Sequence, residues 1–276
     1  MAVDDPRVVE IVAAYRAASG DPDQMPWLSV LPWKETDVWA QIVHALISSA
    51  DRYRRAVGVD LMVCGVDSTA VPSLVTRLVS LSTMEADGVV LVAVVRALRR
   101  VGGRRGVRAI ARLADCDSAL VRAQVAYSLS IEADGQDGAS VRRVLLVLGR
   151  DEDDGTREGA VFALARQSRS IDSRVVDLLW ERALDHDRRV RSEAIAGLVL
   201  RGAPSLHDEL FEMISANDDD DFDQGALVQA AGATGETRFL SPLETYLDAE
   251  VRRGASFGEL YLIRDAIAEL RAALAR

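Results

Sequence analysis

A short pattern recurs along this chain about every 34 residues, and it decides what kind of structure the chain can form. In its best copy an apolar residue, an arginine, two small or apolar positions at four-residue steps and a glycine fall at Val190, Arg191, Ala194, Leu198 and Gly202. The same template fits Tyr53, Arg54, Val57, Leu61 and Gly65, then Val121, Arg122, Val125 and Leu129, then Thr156, Arg157, Ala160 and Leu164. Weaker copies are Val89, Val90, Ala93 and Ala97, and Asp223, Gln224, Leu227, Ala231 and Gly235. Their starts are spaced by 36, 32, 35, 34 and 33 residues. A fixed period of this size marks stacked supersecondary units, none of which can bury its apolar face alone.

Apolar residues four apart lie on one face of a helix, so each copy marks a helix, called B. A second helical stripe, called A, lies between copies. It reads Trp39, Ile42, Val43, Leu46 and Ile47 in one place and Val141, Val144, Leu145 and Leu148 in another. Further A stripes are Val176, Leu179, Trp180 and Ala183, and Leu206, Leu210, Met213 and Ile214. No alternating β-branched segment with hairpin signals interrupts them. The expected fold is all-α: a right-handed superhelical α-solenoid of stacked helix pairs.

Read with its flanks, the best copy is Asp185, Asp187, Val190, Arg191, Ala194, Leu198 and Gly202, and it resembles the bacterial HEAT-repeat pattern of the PBS-lyase type. Asp151, Asp153, Thr156, Arg157, Ala160 and Leu164 match it nearly as well, and Asp115 and Asp117 precede Val121 and Arg122 with one extra residue. The resemblance covers about residues 36–250 and implies six to seven HEAT-like hairpins. It also implies a hydrogen-bonded ladder between repeats, made by the turn acids Asp185 and Asp187 and by Arg54, Arg122, Arg157 and Arg191. Copies two and six have Val90 and Gln224 at the arginine position, where the ladder should be interrupted. Such a resemblance speaks for fold far more than for activity. The ends read as caps. Asp5-Pro6 opens a helix carrying Val8, Ile11, Val12 and Tyr15, and the stretch rich in proline and tryptophan around Trp27 and Trp33 should cover the first repeat. Residues 1–35 are thus expected to cap a single solenoid over 36–276.

Composition narrows the class. At 276 residues with 49% apolar content the chain can bury roughly three quarters of its unfolded surface, and it is too apolar for disorder. Its longest uncharged apolar run, Val89 to Val95, falls far short of the ~20 residues that span a bilayer. Acids near the N-terminus do not suit a secretory signal. Two distant cysteines, Cys64 and Cys116, fit a reducing compartment, so a cytoplasmic location is expected. Lys34 is the only lysine among 33 basic residues, a bias that suits a GC-rich bacterial genome. The net charge of −10 disfavours nucleic acid at long range.

Motifs for chemistry are weak. The acidic runs Asp151–Asp154 and Asp218–Asp221 break the calcium-loop order, with Gly155 at a ligand position and Gln224 where glycine is needed, and they read better as helix N-caps. Gly254, Ser256 and Gly258 spell a nucleophile-elbow pattern, but a helix precedes them where a strand is required. His44, His186 and His207 lack ligand spacing, and no phosphate-binding glycine motif occurs. No catalytic residue, metal or cofactor is therefore assigned.

Two features point to binding. Seven arginines and no acid lie between Arg96 and Arg112, beside Gly102 and Gly103. They read either as an anion-recognising stretch or as partners for acids of neighbouring repeats. Six and ten residues after each copy's start come Val95 and Arg99, Tyr127 and Ile131, Phe162 and Arg166, positions that lean toward the concave B-helix surface. These aromatics serve either as interface anchors or as packing between repeats. The expectation is a non-catalytic protein-interaction module, a scaffold or a regulatory or toxin-neutralising adaptor. Its partner is another protein, bound through Arg96, Arg99, Arg100, Tyr127, Phe162 and Arg166. The rival readings are a HEAT-like alkylpurine DNA glycosylase and a bilin-lyase-like enzyme.

Overall fold

Aspartate caps start the repeating helices. The computed structural model describes residues 6–17, 36–64, 69–167, 172–216 and 225–275. Asp51, Asp87, Asp153 and Asp187 each sit just before a helix in extended backbone and accept hydrogen bonds from amides two or three residues on. Such caps satisfy otherwise orphaned N–H groups and are worth about 1 kcal/mol each. The acidic run at 151–154 is spent this way: Asp153 Oδ2 accepts from the Thr156 amide and hydroxyl, and Asp151 Oδ1 from the Asp153 amide.

The helices are α1 Pro6–Ala17, α2 Thr36–Ile47, α3 Arg52–Met62, α4 Val71–Met84, α5 Gly88–Val101, α6 Gly103–Ala111, α7 Ala119–Leu129, α8 Gly138–Leu148, α9 Asp154–Phe162, α10 Ser173–Arg182, α11 Arg188–Val199, α12 His207–Ser215, α13 Gly225–Thr234, α14 Leu240–Arg253 and α15 Phe257–Leu274. Among the described residues there is no strand, and the chain is all-α. It forms two compact units, Met1–Val144 and Leu145–Arg276, divided within α8. In the first, α2, α4 and α6 pack against α3, α5 and α7, which stack on one another, and α1 packs on α3. In the second, α10, α12 and α14 pack against α11, α13 and α15, while α9, α11, α13 and α15 form the stack. The proline- and tryptophan-rich cap at 18–35 lies outside the described residues.

The repeated B-helix positions form the core: Val121, Val125, Leu129, Thr156, Ala160, Leu164, Val190, Ala194 and Leu198 are all buried. The A stripe of α10 is Val175, Leu178 and Leu179, and Trp180, expected within it, is exposed.

Arginines four residues after the cap staple the turns. Arg157 Nη1 donates to the carbonyls of Asp151 and Glu152 (2.9 and 3.0 Å), and its Nε and Nη2 clasp Asp185 of the next turn at 2.9 and 3.0 Å. Arg122 reaches the carbonyls of Cys116 and Asp117, and Arg191 those of Asp185 and His186. In the first copy this work falls to Arg55, not to Arg54 as the sequence template has it. Arg55 donates to the Ser49 and Ala50 carbonyls and binds Glu85 of the next turn at 3.0 and 3.3 Å. The same count places Leu91 at this position in α5. The acid two residues before the cap also accepts the cap's amide, Glu85 from Asp87 and Asp185 from Asp187, both at 3.0 Å. Asp187 itself caps α11 through the Arg189 and Val190 amides. Burial alone would raise the pKa of Asp185, but the Arg157 and Asp187 hydrogen bonds and the charges of Arg157 and Arg182 hold it below the usual carboxylate range. Glu85 is lowered against its burial by the Asp87 amide and Arg55.

Candidate binding surface

Counting from the caps aligns the exposed faces of the stacked helices. Nine residues on stand Asp60, Arg96 and Tyr127 of α3, α5 and α7, and thirteen residues on stand Cys64, Arg100 and Ile131. The sequence template lay one residue early in α5, where Val95 is buried in the core.

At the α3–α5 end the nine-residue row is closed. Arg96 Nη2 donates to Asp60 Oδ2 at 2.6 Å and lies 2.7 Å from the Tyr15 hydroxyl, and its guanidinium sits 5.9 Å from the centre of the Tyr15 ring. All three are largely withdrawn from solvent. Arg96, assigned above to partner contact, is therefore a packing residue: its side chain faces α1 and α3 rather than solvent. Burial pushes the Asp60 carboxyl above the usual range, with Arg96 pulling the other way. Burial and the Asp60 charge likewise push the Tyr15 hydroxyl far up. Cys64 donates its thiol to the Asp60 carbonyl at 3.4 Å, and burial raises its pKa against the charge of Arg100.

At the α7 end the surface opens. Leu120, Tyr127 and Ile131 are 68%, 51% and 57% exposed. Spaced by seven and eleven residues, they form one stripe along the helix and the short turn that extends it. Leu120 lies outside the six- and ten-residue positions of the repeat template, and its signal in the sequence is the seven-residue helical step back from Tyr127.

The arginine stretch divides by partner. Arg104 binds Asp137 through two 3.0 Å hydrogen bonds and Arg108 stands 3.6 Å from the same carboxylate, while Arg105 reaches the Thr76 hydroxyl. Arg99 and Arg100 are exposed and make no ion pair among the described residues. Gly102 and Gly103 serve the corner between α5 and α6. A Cβ on Gly102 would lie 2.4 Å from the Leu98 carbonyl oxygen, and Gly103 has a φ of 48°.

Phe162 and Arg166 belong to the second unit. Both are half-buried, with the Arg166 guanidinium 5.4 Å from the Phe162 ring centre and 3.7 Å from Glu193. A π-helical turn over Ala163–Gln167 follows α9, and Arg201 donates to the Leu164 and Ala165 carbonyls there at 2.7 and 2.8 Å.

The remaining motifs resolve locally. Gly254, with a φ of 80°, ends α14, so the elbow-like sequence is a turn between helices. His207 Nδ1 lies 2.6 Å from Glu236, His186 is exposed beside Asp154, and His44 is exposed. Phe257 and Tyr261 stand exposed on α15 with ring centres 6.4 Å apart, a pair the repeat template does not reach.

No known family profile matches the chain, and no curated protein does. Among solved structures it is similar to Escherichia coli YibA, at 17% identity and a TM-score of 0.62, over 95% of this chain and 91% of that one. The complex of CpcE and CpcF of phycocyanin lyase from Nostoc sp. PCC7120 aligns at 16% identity and a TM-score of 0.48, over 83% of this chain and 94% of that one. The first of these likenesses, with the stacked hairpins above, defines the class: a HEAT-like helical-repeat fold.

Proposed function

We propose that this chain is a non-catalytic binding module of the reducing bacterial cytoplasm that engages another protein through the open stripe of α7. The observation that carries this reading is that Leu120, Tyr127 and Ile131 leave an apolar stripe in solvent, whereas Asp60, the counterpart of Tyr127 in α3, is buried. A large aromatic with exposed arginines on the neighbouring helix, here Arg99 and Arg100 of α5, is the composition that interface centres favour. The buried carboxylates support a binding role: Asp60 is held by Arg96 and Asp185 by Arg157 and Arg182, so both serve packing. For an alkylpurine glycosylase the net charge of −10 opposes the duplex backbone. Such an enzyme also needs aromatics beside the extruded base, and Trp27 and Trp33, which could supply them, lie outside the described residues.

The test is site-specific photo-crosslinking in the native host, with the photoreactive residue at Ile131 or, as control, at Arg252 of α14. A discrete adduct from position 131, lost when Tyr127 is changed to Ala, is the expected result. Adducts of equal yield from both positions, or from Arg252 alone, overturn it.

A further inference from the structure

We propose that the partner presents an amphipathic helix with carboxylates at its border to the α7 stripe, and that α1, which turns Arg16 toward the acidic Asp51 at the α3 end, is this chain's own example of a helix seated on that face. The inference rests on the binding-surface reading above and adds the shape and charge of what binds.

The way α1 packs is the starting point. Its buried residues Val8, Ile11, Val12 and Tyr15 follow the i, i+3, i+4, i+7 spacing by which a helix fills a groove. Tyr15 reaches Asp60 and Arg96, nine residues past their caps. The next residue, Arg16, pairs with the cap Asp51 itself at 2.7 Å and lies 5.1 Å over the Tyr53 ring. Two adjacent residues that touch both the first turn and the third turn of α3 place the end of α1 across α3, on the face that carries Tyr53 and Asp60. Together with α2 and α5, α1 leaves every residue of α3 from Ala56 to Met62 buried. The B-helix face of the first unit is thus a surface that an amphipathic helix fits.

Along the stack α3, α5, α7, a helix covers the α3 end, while among the described residues none lies over α7, where the same face exposes Leu120, Tyr127 and Ile131. Arg96 separates the two stretches and is turned toward α1. Beside it Arg99 and Arg100 stand exposed in a seventeen-residue stretch, 96–112, that holds no acid. An occupant with a leucine- or isoleucine-type face is needed for the stripe. Glutamate or aspartate is needed at its border, since a basic segment would meet the two arginines with like charge. A helix satisfies its own backbone hydrogen bonds, so it can lie on a surface made of side chains; an extended strand would need a sheet edge, and none occurs among the described residues.

A phage-displayed library of random 16-residue peptides, selected on the immobilised full-length protein, tests this. Enriched peptides are synthesised and their affinities measured by fluorescence polarisation against wild type, Tyr127→Ala/Ile131→Ala and Arg100→Glu. The expected winners carry apolar residues at helical spacing with Asp or Glu beside them, turn helical on binding, and bind at least tenfold more weakly to both variants. Winners that are basic, proline-rich or extended, yet sensitive to the Tyr127/Ile131 change, overturn the helix inference and leave the surface reading standing. Acidic helical winners that bind all three proteins alike overturn the surface reading itself. Failure of any peptide to enrich overturns the helix inference.

Discussion

Replacing Arg157 by alanine is the sharpest test of what holds successive repeats together. Its side chain and that of Asp185 are 4% and 2% exposed, and it makes two hydrogen bonds to the carboxylate and two to the carbonyls of its own turn. Removing one partner of a buried ion pair typically costs 3–5 kcal/mol, because the other charge is left without compensation. Here Asp185 keeps Arg182 at 3.0 Å and the Asp187 amide, which moderates the loss. Against that, the carbonyls of Asp151 and Glu152 lose a charged donor. The balance is about 3 kcal/mol, which for a chain of this length lowers Tm by about 5 °C. Arg55→Ala should cost somewhat less, since Arg55 and Glu85 are more exposed, at 21% and 13%. Arg54→Ala should cost less, about 0.5 kcal/mol, since the change keeps the Arg54 amide on Asp51 and removes only a half-buried charge near that cap. Calorimetry or thermal circular dichroism on the three variants decides it. An Arg157→Ala protein that melts within a degree of wild type refutes the stapling argument. Equal losses at Arg54 and Arg55 refute the register.

Three further outcomes follow from the same geometry. The depressed carboxyls Asp185 and Glu85 stabilise the fold fully above their unfolded pKa near ~4, and that stability is lost as pH falls through their lower folded values. Tm should therefore fall less steeply below pH 4 in Arg157→Ala than in wild type, and parallel curves would contradict the linkage; Asp60, with its raised pKa, works in the opposite sense in both proteins. Arg201→Ala strips the donor from the Leu164 and Ala165 carbonyls of the π-helical turn and should cost about 2 kcal/mol by chemical denaturation; an unchanged midpoint would show that water satisfies them. Gly102→Ala drives a Cβ into the Leu98 carbonyl and the Gly106 Cα at 2.4 and 2.6 Å, so it should destabilise by about 2–3 kcal/mol; Gly103→Ala, unobstructed but at positive φ, should cost about 1 kcal/mol.

Much of the fold was legible because the 34-residue period reflects a physical necessity: each hairpin buries its stripe only against its neighbours. The all-α class and the B helices followed from that, and Val121, Val125, Leu129, Val190, Ala194 and Leu198 are buried. The candidate site was legible in part. The six- and ten-residue steps reach Tyr127 and Ile131, and both are exposed, because the α7 copy is in register with its cap. Arg96 was misplaced because an arginine in a basic stretch looks solvated in sequence. Its partners, Asp60 and Tyr15, lie 36 and 81 residues away, and only the packing of α1 brings them together.

The register slip in the first two copies has the same origin as the closed end of the face. A helix covered on one side shows one apolar stripe, and the template can lock onto it. Under α1, the helix α3 is buried on both sides, so Tyr53, Val57 and Leu61 read as a core stripe although they lie one residue off the positions that match Arg157 and Arg191 by cap. Along α5, the uninterrupted run Val89–Val95 fits either register equally well. The apolar run Ala56–Val59 of α3, like Val89–Val95 of α5, thus leaves the register to be fixed by the caps Asp51 and Asp87. In α7 the pattern stays one-sided for the core, and the second, exposed stripe of Leu120, Tyr127 and Ile131 stands apart from it. Cover at α3 is written into this chain by α1. At α7 no helix among the described residues lies over the corresponding stripe, and this contrast is the ground for proposing a helix from another protein as its occupant.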